Sequence, residues 1–137
     1  MATGYTHHIK TPINCQTENI VYAWKCTKCN ENFTINTNNS RHVPDINIRV
    51  NKKGSNYIGL SKRRFSKRFA EHRDYPKSGR VDEPSGQHFT LPGHSVSNLQ
   101  GLAVEHVKNK DPFVLKAREA FLIQKLDSYR KGLNKEY

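Results

Sequence analysis

The stretch of residues 57–73 constrains the fold more than any other part of the chain. It opens with a tyrosine and an isoleucine, which favour a β-strand, and Gly59 then breaks that strand. Ser61 follows with a hydroxyl that can cap the first turn of a helix. Phe65 and Phe69 lie four residues apart on this helix, so they share one face. The stretch therefore predicts a strand, a turn and a helix that packs its aromatic face on a sheet.

A polar row lies beside the aromatic row on the same helix. Arg64, Arg68 and His72 repeat every four residues and therefore point in the same direction. Tyr57, on the preceding strand, enters the same space. Two guanidinium groups, a titratable ring and a phenol around one cleft suit a phosphodiester, and either arginine is a candidate to hold the phosphate.

Positive charge is concentrated in this part of the chain. The formal net charge is +11 at pH 7, and it clusters within residues 62–73. Such a surplus attracts polyanions, with nucleic acid as the first candidate and an anionic membrane as the second. The membrane is disfavoured because no basic amphipathic stretch has a broad apolar face. The side chains expected to contact flanking DNA phosphates are Lys62, Arg63, Arg64, Lys67 and Arg73.

The bulk composition predicts one domain with a small core. Of the 137 residues, 34% are hydrophobic, which leaves little apolar surface for a large interior. No apolar run approaches the ~20 residues that a membrane span needs. The N-terminus also lacks the basic-then-apolar order of a secretory signal. We therefore expect an intracellular protein.

Periodicity and turn residues place the remaining elements. Strands are expected at 19–25, 45–50, 56–58 and 102–107, and helices at 61–73, 87–89 and 113–129. Asp111 and Pro112 form a strong start signal for the last helix, and Gly132 ends it. Its apolar stripe is expected at positions 114, 117, 121, 122, 126 and 129.

This order of elements predicts an α+β fold. We expect a small, mostly antiparallel three-stranded sheet flanked by helices, with a long insertion at 31–55 between the first two core strands. Residues 1–14 have no periodicity and are predicted to be a flexible tail. The domain itself is then 15–137.

The three cysteines do not suggest a disulfide framework, because their number is odd. Two of them form a Cys-x-x-Cys pair, which indicates half of a metal site or a redox pair. A redox role is disfavoured because a polar loop follows the pair instead of a helix.

The chain resembles the GIY-YIG endonucleases over residues 20–134. The ordered landmarks are Val21-Tyr22, Tyr57-Ile58-Gly59, Arg68, His72, Glu119 and Asn134. Within that family it is most similar to the Penelope-like retroelement endonucleases, which carry Cys-x-x-Cys after a strand and a later His-Phe…Gly-His segment. The chain departs from the family at Ile20, where the first family glycine would stand, and in the length of the insertion.

The resemblance implies a mechanism for hydrolysing DNA. Tyr22 would take a proton from the attacking water, with its pKa lowered by nearby cations, and His72 would polarise it or relay the proton. Arg68 would hold the scissile phosphate. Glu119 would hold a catalytic Mg²⁺, or Mn²⁺ in its place. Asn134 would steady the site by hydrogen bonding.

The resemblance also implies a structural Zn²⁺ held by Cys26, Cys29, His88 and His94, which are ligands of the types that zinc prefers. Cys15 or His42 could replace one of them, and the alternative is two free thiols with two unrelated histidines.

The resemblance further implies a DNA substrate, a nuclear location and a reverse transcriptase module in the same parent polypeptide. Without it, Glu119 is an ordinary helix glutamate paired with Lys116 or Lys125, both tyrosines are strand aromatics, and the basic helix face is merely solvated. The second hypothesis is a non-catalytic, zinc-stabilised nucleic-acid-binding module. A third, a ribosome- or RNA-associated basic protein, needs only the charge.

Overall fold

The computed structural model describes the backbone of residues 3–8, 13–29, 33–36, 45–50, 56–126 and 134, and the side chains of 13–29, 57–125 and 134. These residues form two small sheets and three α-helices. In chain order the elements are β1 (Thr3–His8), β2 (Ile20–Cys26), β3 (Phe33–Asn36), β4 (Asp45–Val50), β5 (Asn56–Ser61), α1 (Phe65–Lys77), α2 (Pro84–His88), β6 (Leu99–His106) and α3 (Pro112–Leu126).

The central sheet consists of β5, β2 and β6, in that order, and both strand pairs are antiparallel. Tyr22 on the middle strand lies opposite Gly59 of β5 and Ala103 of β6. The predicted α+β class is confirmed, as is the pairing of the first and second core strands. The long insertion connects β2 to β5. The third strand begins at Leu99, three residues before the predicted start.

The two faces of this sheet have different compositions, because successive residues of a strand point to opposite sides. One face packs with α3 in an aliphatic cluster formed by Val21, Ala23, Ile58, Val104, Val107, Leu115, Leu122 and Ile123. The other face packs with α1 in a largely aromatic cluster formed by Ile20, Tyr22, Trp24, Cys26, Phe65, Phe89, Leu99 and Ala103. We call these the aliphatic face and the aromatic face.

A second three-stranded antiparallel sheet has the order β1-β4-β3. Strand β4 confirms the extra strand predicted at 45–50. The prediction of a flexible tail is wrong for residues 3–8, because β1 pairs with β4 along its whole length. Strand β3 is a further difference, since its stretch was expected to be loop. Strand β1 pairs with a strand distant in the sequence, whereas β3 pairs with the next strand along the chain, and local periodicity reveals neither pairing.

Helix α1 begins later than predicted. Its first residue is Phe65, and Arg64 at the cap position makes no side-chain capping bond. Ser61 is the last residue of β5 and does not cap the helix. Its hydroxyl instead accepts a hydrogen bond from the backbone N–H of Arg63 at 3.0 Å, which closes the turn between strand and helix.

Helix α1 also ends later than predicted, because it continues through Pro76 to Lys77. A proline leaves the carbonyl four residues earlier without its helical partner. That carbonyl belongs to His72, and it accepts a hydrogen bond from the hydroxyl of Ser85 at 2.9 Å. Ser85 lies on α2, which starts earlier than the short helix predicted at 87–89. The bond from α2 thus replaces the one that Pro76 cannot make.

Helix α3 begins as predicted, and the carboxylate of Asp111 accepts a hydrogen bond from the backbone N–H of Phe113 at 3.0 Å. The predicted apolar stripe is wrong at Ala117, which is exposed. It is confirmed at Leu122, which is buried, and at Val114 and Phe121, which pack against the aliphatic cluster. The buried face has the spacing i, i+4, i+7, i+8 of a helix packed on one side. Its members are Leu115, Glu119, Leu122 and Ile123. Position 129 and Gly132 lie outside the described residues.

Among the helices described, none combines the length and the apolar character that crossing a membrane requires.

Candidate active site and metal centre

The phenol of Tyr22 is the centre of a buried polar group on the aromatic face. Tyr22 is fully buried on β2, and its hydroxyl lies 2.6 Å from Nε2 of His72 on α1. Nε of Arg68, one helical turn before His72, donates a hydrogen bond to the same hydroxyl at 3.1 Å. The four-residue spacing predicted in the sequence therefore brings the guanidinium and the imidazole to one phenol oxygen.

His72 is held in one orientation from its other side. Its Nδ1 lies 3.4 Å from the hydroxyl of Ser85, whose own proton goes to the carbonyl of His72. The hydroxyl can then accept from Nδ1–H, which leaves Nε2 as the acceptor for the proton of Tyr22. Burial, aided by the positive charge of Arg68, lowers the pKa of His72 from 6.5 to about 3. The ring is therefore neutral at physiological pH.

The pKa of the Tyr22 phenol is not lowered overall in the protein alone, although Arg68 acts in the predicted direction. Burial raises this pKa well above 10, and the nearby Tyr57 raises it further. Arg68 acts in the opposite direction, through both its charge and its hydrogen bond, but it does not outweigh burial. Burial also raises the pKa of Tyr57. Both phenols are protonated here.

Close contact with the rings of Tyr22 and Tyr57 explains why residue 59 is a glycine. A Cβ added at this position would collide with the phenol of Tyr22 and would lie 2.8 Å from the ring of Tyr57. The rings of Tyr22 and Tyr57 have centroids 6.4 Å apart, and Tyr57 stacks on Trp24 at 5.2 Å. The Tyr-Ile-Gly segment is thus the place where a phenol passes directly over the backbone of the adjacent strand.

Tyr57 connects this group to the carboxylate of Glu119. The helices α1 and α3 lie on opposite faces of the sheet, but Glu119 and Tyr57 line one cavity of about 200 Å³ at the β5 edge. Both Arg68 and Glu119 act on the pKa of Tyr57, with opposite signs. Glu119 is buried and accepts a hydrogen bond from Nζ of Lys116 at 2.8 Å. The pairing with Lys116 considered from the sequence is therefore present.

Asn134 holds the outer edge of the central sheet. Its side-chain amide donates to the carbonyl of Ile58 and accepts from the N–H of Ile58, both at 2.8 Å. The two bonds satisfy the backbone groups that an edge strand would otherwise expose. Asn134 also lines the cavity. Its contacts fit the predicted role of steadying the site and place it on the strand that carries Tyr57.

The five basic residues predicted to contact DNA are all exposed, and some of them also contact other side chains of the protein. Arg63 and Arg68 both donate to Oε1 of Glu71, at 2.7 and 2.8 Å, and Arg68 also donates to the hydroxyl of Tyr75 at 3.1 Å. Arg73 lies over the ring of Phe69 at 5.3 Å. The other residues of this set are Lys62, Arg64 and Lys67.

The four predicted zinc ligands lie together. Their ligand atoms, two sulfurs and two ring nitrogens, are all within 4.8 Å of one another in the group Cys26, Cys29, His88 and His94. Sγ of Cys29 is 3.0 Å from Nε2 of His94 and 3.7 Å from Nε2 of His88. Such a group could hold a metal ion such as zinc, which binds two thiolates and two imidazoles tetrahedrally.

Local contacts position both the cysteine pair and the histidine pair of this cluster. Burial raises the pKa of the Cys26 thiol, while the backbone N–H groups of Lys28 and Cys29 oppose the shift. Nδ1 of His94 lies 3.2 Å from the carbonyl of Pro92, so its Nε2 is left as the ligand atom. Nζ of Lys28 donates to the carbonyl of Gly93 and so ties the two halves together. Cys15 is exposed and lies outside the cluster, and His42 is outside the described residues.

Several residues of the site are not expected from the sequence. Glu71 and Tyr75 bind Arg68, Ser85 binds His72, and Asp82 and Glu83 line the cavity beside Glu119. For Glu71, the three-residue spacing from Arg68 is a signal in the sequence. For Ser85, Asp82 and Glu83, the sequence carries no comparable signal.

The chain matches no protein-family model, no curated protein and no solved structure.

Proposed function

We propose that this protein is a metal-dependent DNA endonuclease of the GIY-YIG type that hydrolyses phosphodiester bonds. The observation that carries the proposal is the Tyr22 phenol, which is hydrogen-bonded both to a neutral imidazole and to a guanidinium. The phenol also lies against the backbone of Gly59. The +11 net charge supports a nucleic-acid substrate. The proposal includes a nuclear location and a parent retroelement polypeptide that also carries a reverse transcriptase.

The residues divide the chemistry between them. Tyr22 lies nearest to a proton acceptor, since its hydroxyl already donates toward Nε2 of His72. Arg68 stabilises negative charge on the phenol oxygen and offers its remaining N–H groups to a phosphate. Because burial opposes ionisation of Tyr22, transfer of its proton to Nε2 of His72 would require further positive charge near the phenol when substrate is bound.

Glu119 fits the role of metal ligand. Mg²⁺ is held by one or two carboxylates together with waters and phosphate oxygens, and Glu119 lines a cavity next to Asp82 and Glu83. The competing cation is Lys116, whose side chain is 52% exposed and can turn toward solvent. Bound there, Mg²⁺ or Mn²⁺ would supply charge neutralisation at the phosphoryl oxygens. Tyr57 lines the same cavity, and its pKa responds both to that carboxylate and to Arg68.

A structural zinc held by Cys26, Cys29, His88 and His94 completes the proposal. It joins the end of β2 to α2 and to the turn after it. Helix α2 also carries Ser85, which orients His72. The metal would therefore stabilise the side of the sheet on which the proposed chemistry takes place.

Nicking of a supercoiled plasmid tests the function. With zinc-loaded protein and Mg²⁺, we expect Arg68→Ala and Glu119→Gln each to lose at least about a hundredfold in rate. Matched controls are Lys77→Ala, an exposed cation at the end of α1, and Glu18→Gln, an exposed carboxylate. Full activity in either site variant would overturn the mechanism.

One observation favours a second function, a non-catalytic nucleic-acid-binding module braced by zinc. The raised pKa of Tyr22 keeps the proposed base protonated, which suits a structural phenol. This function needs neither Tyr22 nor Glu119 for binding. DNA binding by the wild type without Mg²⁺- or Mn²⁺-dependent cleavage would select it.

A further inference from the structure

Glu71 occupies an unusual position in the most basic part of the chain. Residues 61–73 contain six lysines and arginines, and Glu71 is their one carboxylate. A single oxygen of Glu71, Oε1, accepts hydrogen bonds from Nη2 of Arg63 at 2.7 Å and Nη1 of Arg68 at 2.8 Å. Two of the six cations therefore converge on one anionic oxygen.

This point of convergence borders the candidate active site. Arg68 bonds to Glu71 through Nη1 and to the Tyr22 hydroxyl through Nε, so one guanidinium contacts both. The side chains of Arg63, Glu71 and Arg68 are 54%, 34% and 21% exposed. Exposure thus falls from Arg63 toward Arg68, and an anion arriving from solvent can reach the guanidinium that touches Tyr22.

A routine helix ion pair explains only half of this geometry. Arg68 and Glu71 are three residues apart on α1, which is an ordinary spacing for such a pair. Arg63 precedes the helix and still turns back to the same oxygen. Guanidinium groups that converge on one oxygen also provide the geometry that binds a phosphate.

We propose that Arg63 and Arg68 form one binding seat for a nucleic-acid phosphate and that Glu71 fills this seat in the free protein as an internal anion. The identity of the ligand, a nucleic-acid phosphate, depends on the proposed function. An incoming phosphate exchanges with the carboxylate, and Arg68 keeps its bond to Tyr22 during the exchange. Competition from Glu71 thereby weakens the binding of a single phosphate. A nucleic acid that also contacts the exposed cations around the seat can displace the carboxylate.

Protonation does not open the seat at physiological pH. The hydrogen bond from Arg63, with the bond and charge of Arg68, lowers the pKa of Glu71 from 4.5 to about 2. The carboxylate therefore stays ionised, and a competing anion is what displaces it. The seat is controlled by ligand and salt concentration, since exposed ion pairs are screened by salt.

Binding of a short fluorescent DNA duplex tests the seat, with zinc-loaded protein and no added Mg²⁺. Glu71→Gln should bind roughly three- to tenfold tighter than wild type, the scale of one charge-assisted contact. Asp74→Asn is the matched control, because it removes the same charge from an exposed position of the same helix. Glu71→Ala is a second variant in which the same gain is expected, and thermal melting checks that each variant is folded.

A double-mutant cycle locates the effect in the seat. Arg63→Gln should weaken binding more in the Glu71→Gln background than in the wild type, because Glu71 no longer competes for Arg63. The proposal is overturned if both Glu71 variants bind no tighter than Asp74→Asn. In that case plasmid nicking by the wild type would still support the endonuclease. If the Glu71 variants bind tighter but no variant cleaves DNA with Mg²⁺, the seat stands and the nuclease fails.

Discussion

The two faces of the central sheet are built by different rules. On the aliphatic face, α3 packs Leu115, Leu122 and Ile123 against the sheet. On the aromatic face, the buried phenol of Tyr22 forms hydrogen bonds with two side chains of α1. Trp24, also on that face, carries the buried side-chain nitrogen that lacks a hydrogen-bond partner within the described side chains. One face is therefore organised by apolar packing and the other by specific polar contacts.

This difference predicts how each face responds to change. Apolar packing tolerates substitutions of similar volume and loses free energy in proportion to the space created. A polar network fails when one partner is removed, because the remaining group is left buried and unsatisfied. Substitutions on the aliphatic face should change stability alone, while those on the aromatic face should change stability and function together.

The largest effect is expected at the border of the aromatic face, in the metal cluster. Cys29→Ser should abolish tight zinc binding and strongly lower the free energy of unfolding, because a structural zinc contributes on the order of 10 kcal/mol to small domains. Cys15→Ser is the control, since Cys15 is exposed and outside the cluster. Zinc content by mass spectrometry and urea unfolding measure both effects. A Cys29→Ser protein that retains one zinc per chain would contradict the proposed ligand set.

The next largest effect is expected on the aliphatic face. Leu122→Ala should lower the free energy of unfolding by about 2–5 kcal/mol, through lost burial and the cavity left behind. Phe113→Ala on the same helix should change it little, because Phe113 is 83% exposed. Urea unfolding measures both variants. If Leu122→Ala also abolishes cleavage by the folded protein, the two faces are not independent.

A smaller loss of stability with a larger loss of function is expected for Gly59→Ala. The added methyl group collides with the phenol of Tyr22, and such overpacking costs about 1–3 kcal/mol. We expect nicking to fall well beyond what the unfolded fraction explains. Gly79→Ala is the control, because no atom lies within 4 Å of its added Cβ and its positive φ of 73° is the source of strain. Equal nicking by the two variants would separate the Tyr22 position from activity.

The features that the sequence predicts also differ from those that it misses, in a way that parallels the difference between apolar packing and specific polar contacts. Local patterns predict the start of α3 and the shared direction of Arg68 and His72, because each depends on residues close in the chain. The predicted pairing of β2 with β5 joins strands that the long insertion separates, so it does not follow from local spacing. The apolar stripe predicted for α3 is only partly right, since it includes the exposed Ala117 and does not show that Glu119 is buried on the packed face. A polar residue inside a packed face carries no signal in a hydrophobic pattern.

The partners on the aromatic face are harder to predict. Ser85 binds His72 because Pro76 leaves a carbonyl free and α2 passes beside it, and no local spacing indicates this. Strands β1 and β3 depend on their ladder with β4 in the same way. The metal cluster is the exception among long-range contacts, because the resemblance to the GIY-YIG endonucleases indicates which two histidines accompany the Cys-x-x-Cys pair.

The smallest effect is expected in how steeply the free energy of unfolding changes with pH. A change of pH tests the polar network of the aromatic face without altering the packing of either face. The pKa of His72 is about 3 when folded and 6.5 when free, so the unfolded chain takes up the proton first as pH falls. Its contribution to stability is therefore complete above pH 6.5 and is lost progressively toward pH 3. Near pH 5 the slope should reach at most about 1.4 kcal/mol per pH unit for this one proton.

The free energy of unfolding of His72→Gln, measured with urea, should vary less steeply with pH over this range, whereas Leu122→Ala should keep the wild-type slope. Glu71 contributes a loss of the same sign only below pH 4.5, since its pKa of about 2 is lowered by Arg63. A wild-type slope unchanged by His72→Gln would mean that the imidazole is not held neutral by burial, and the polar network on the aromatic face would lose its proton acceptor.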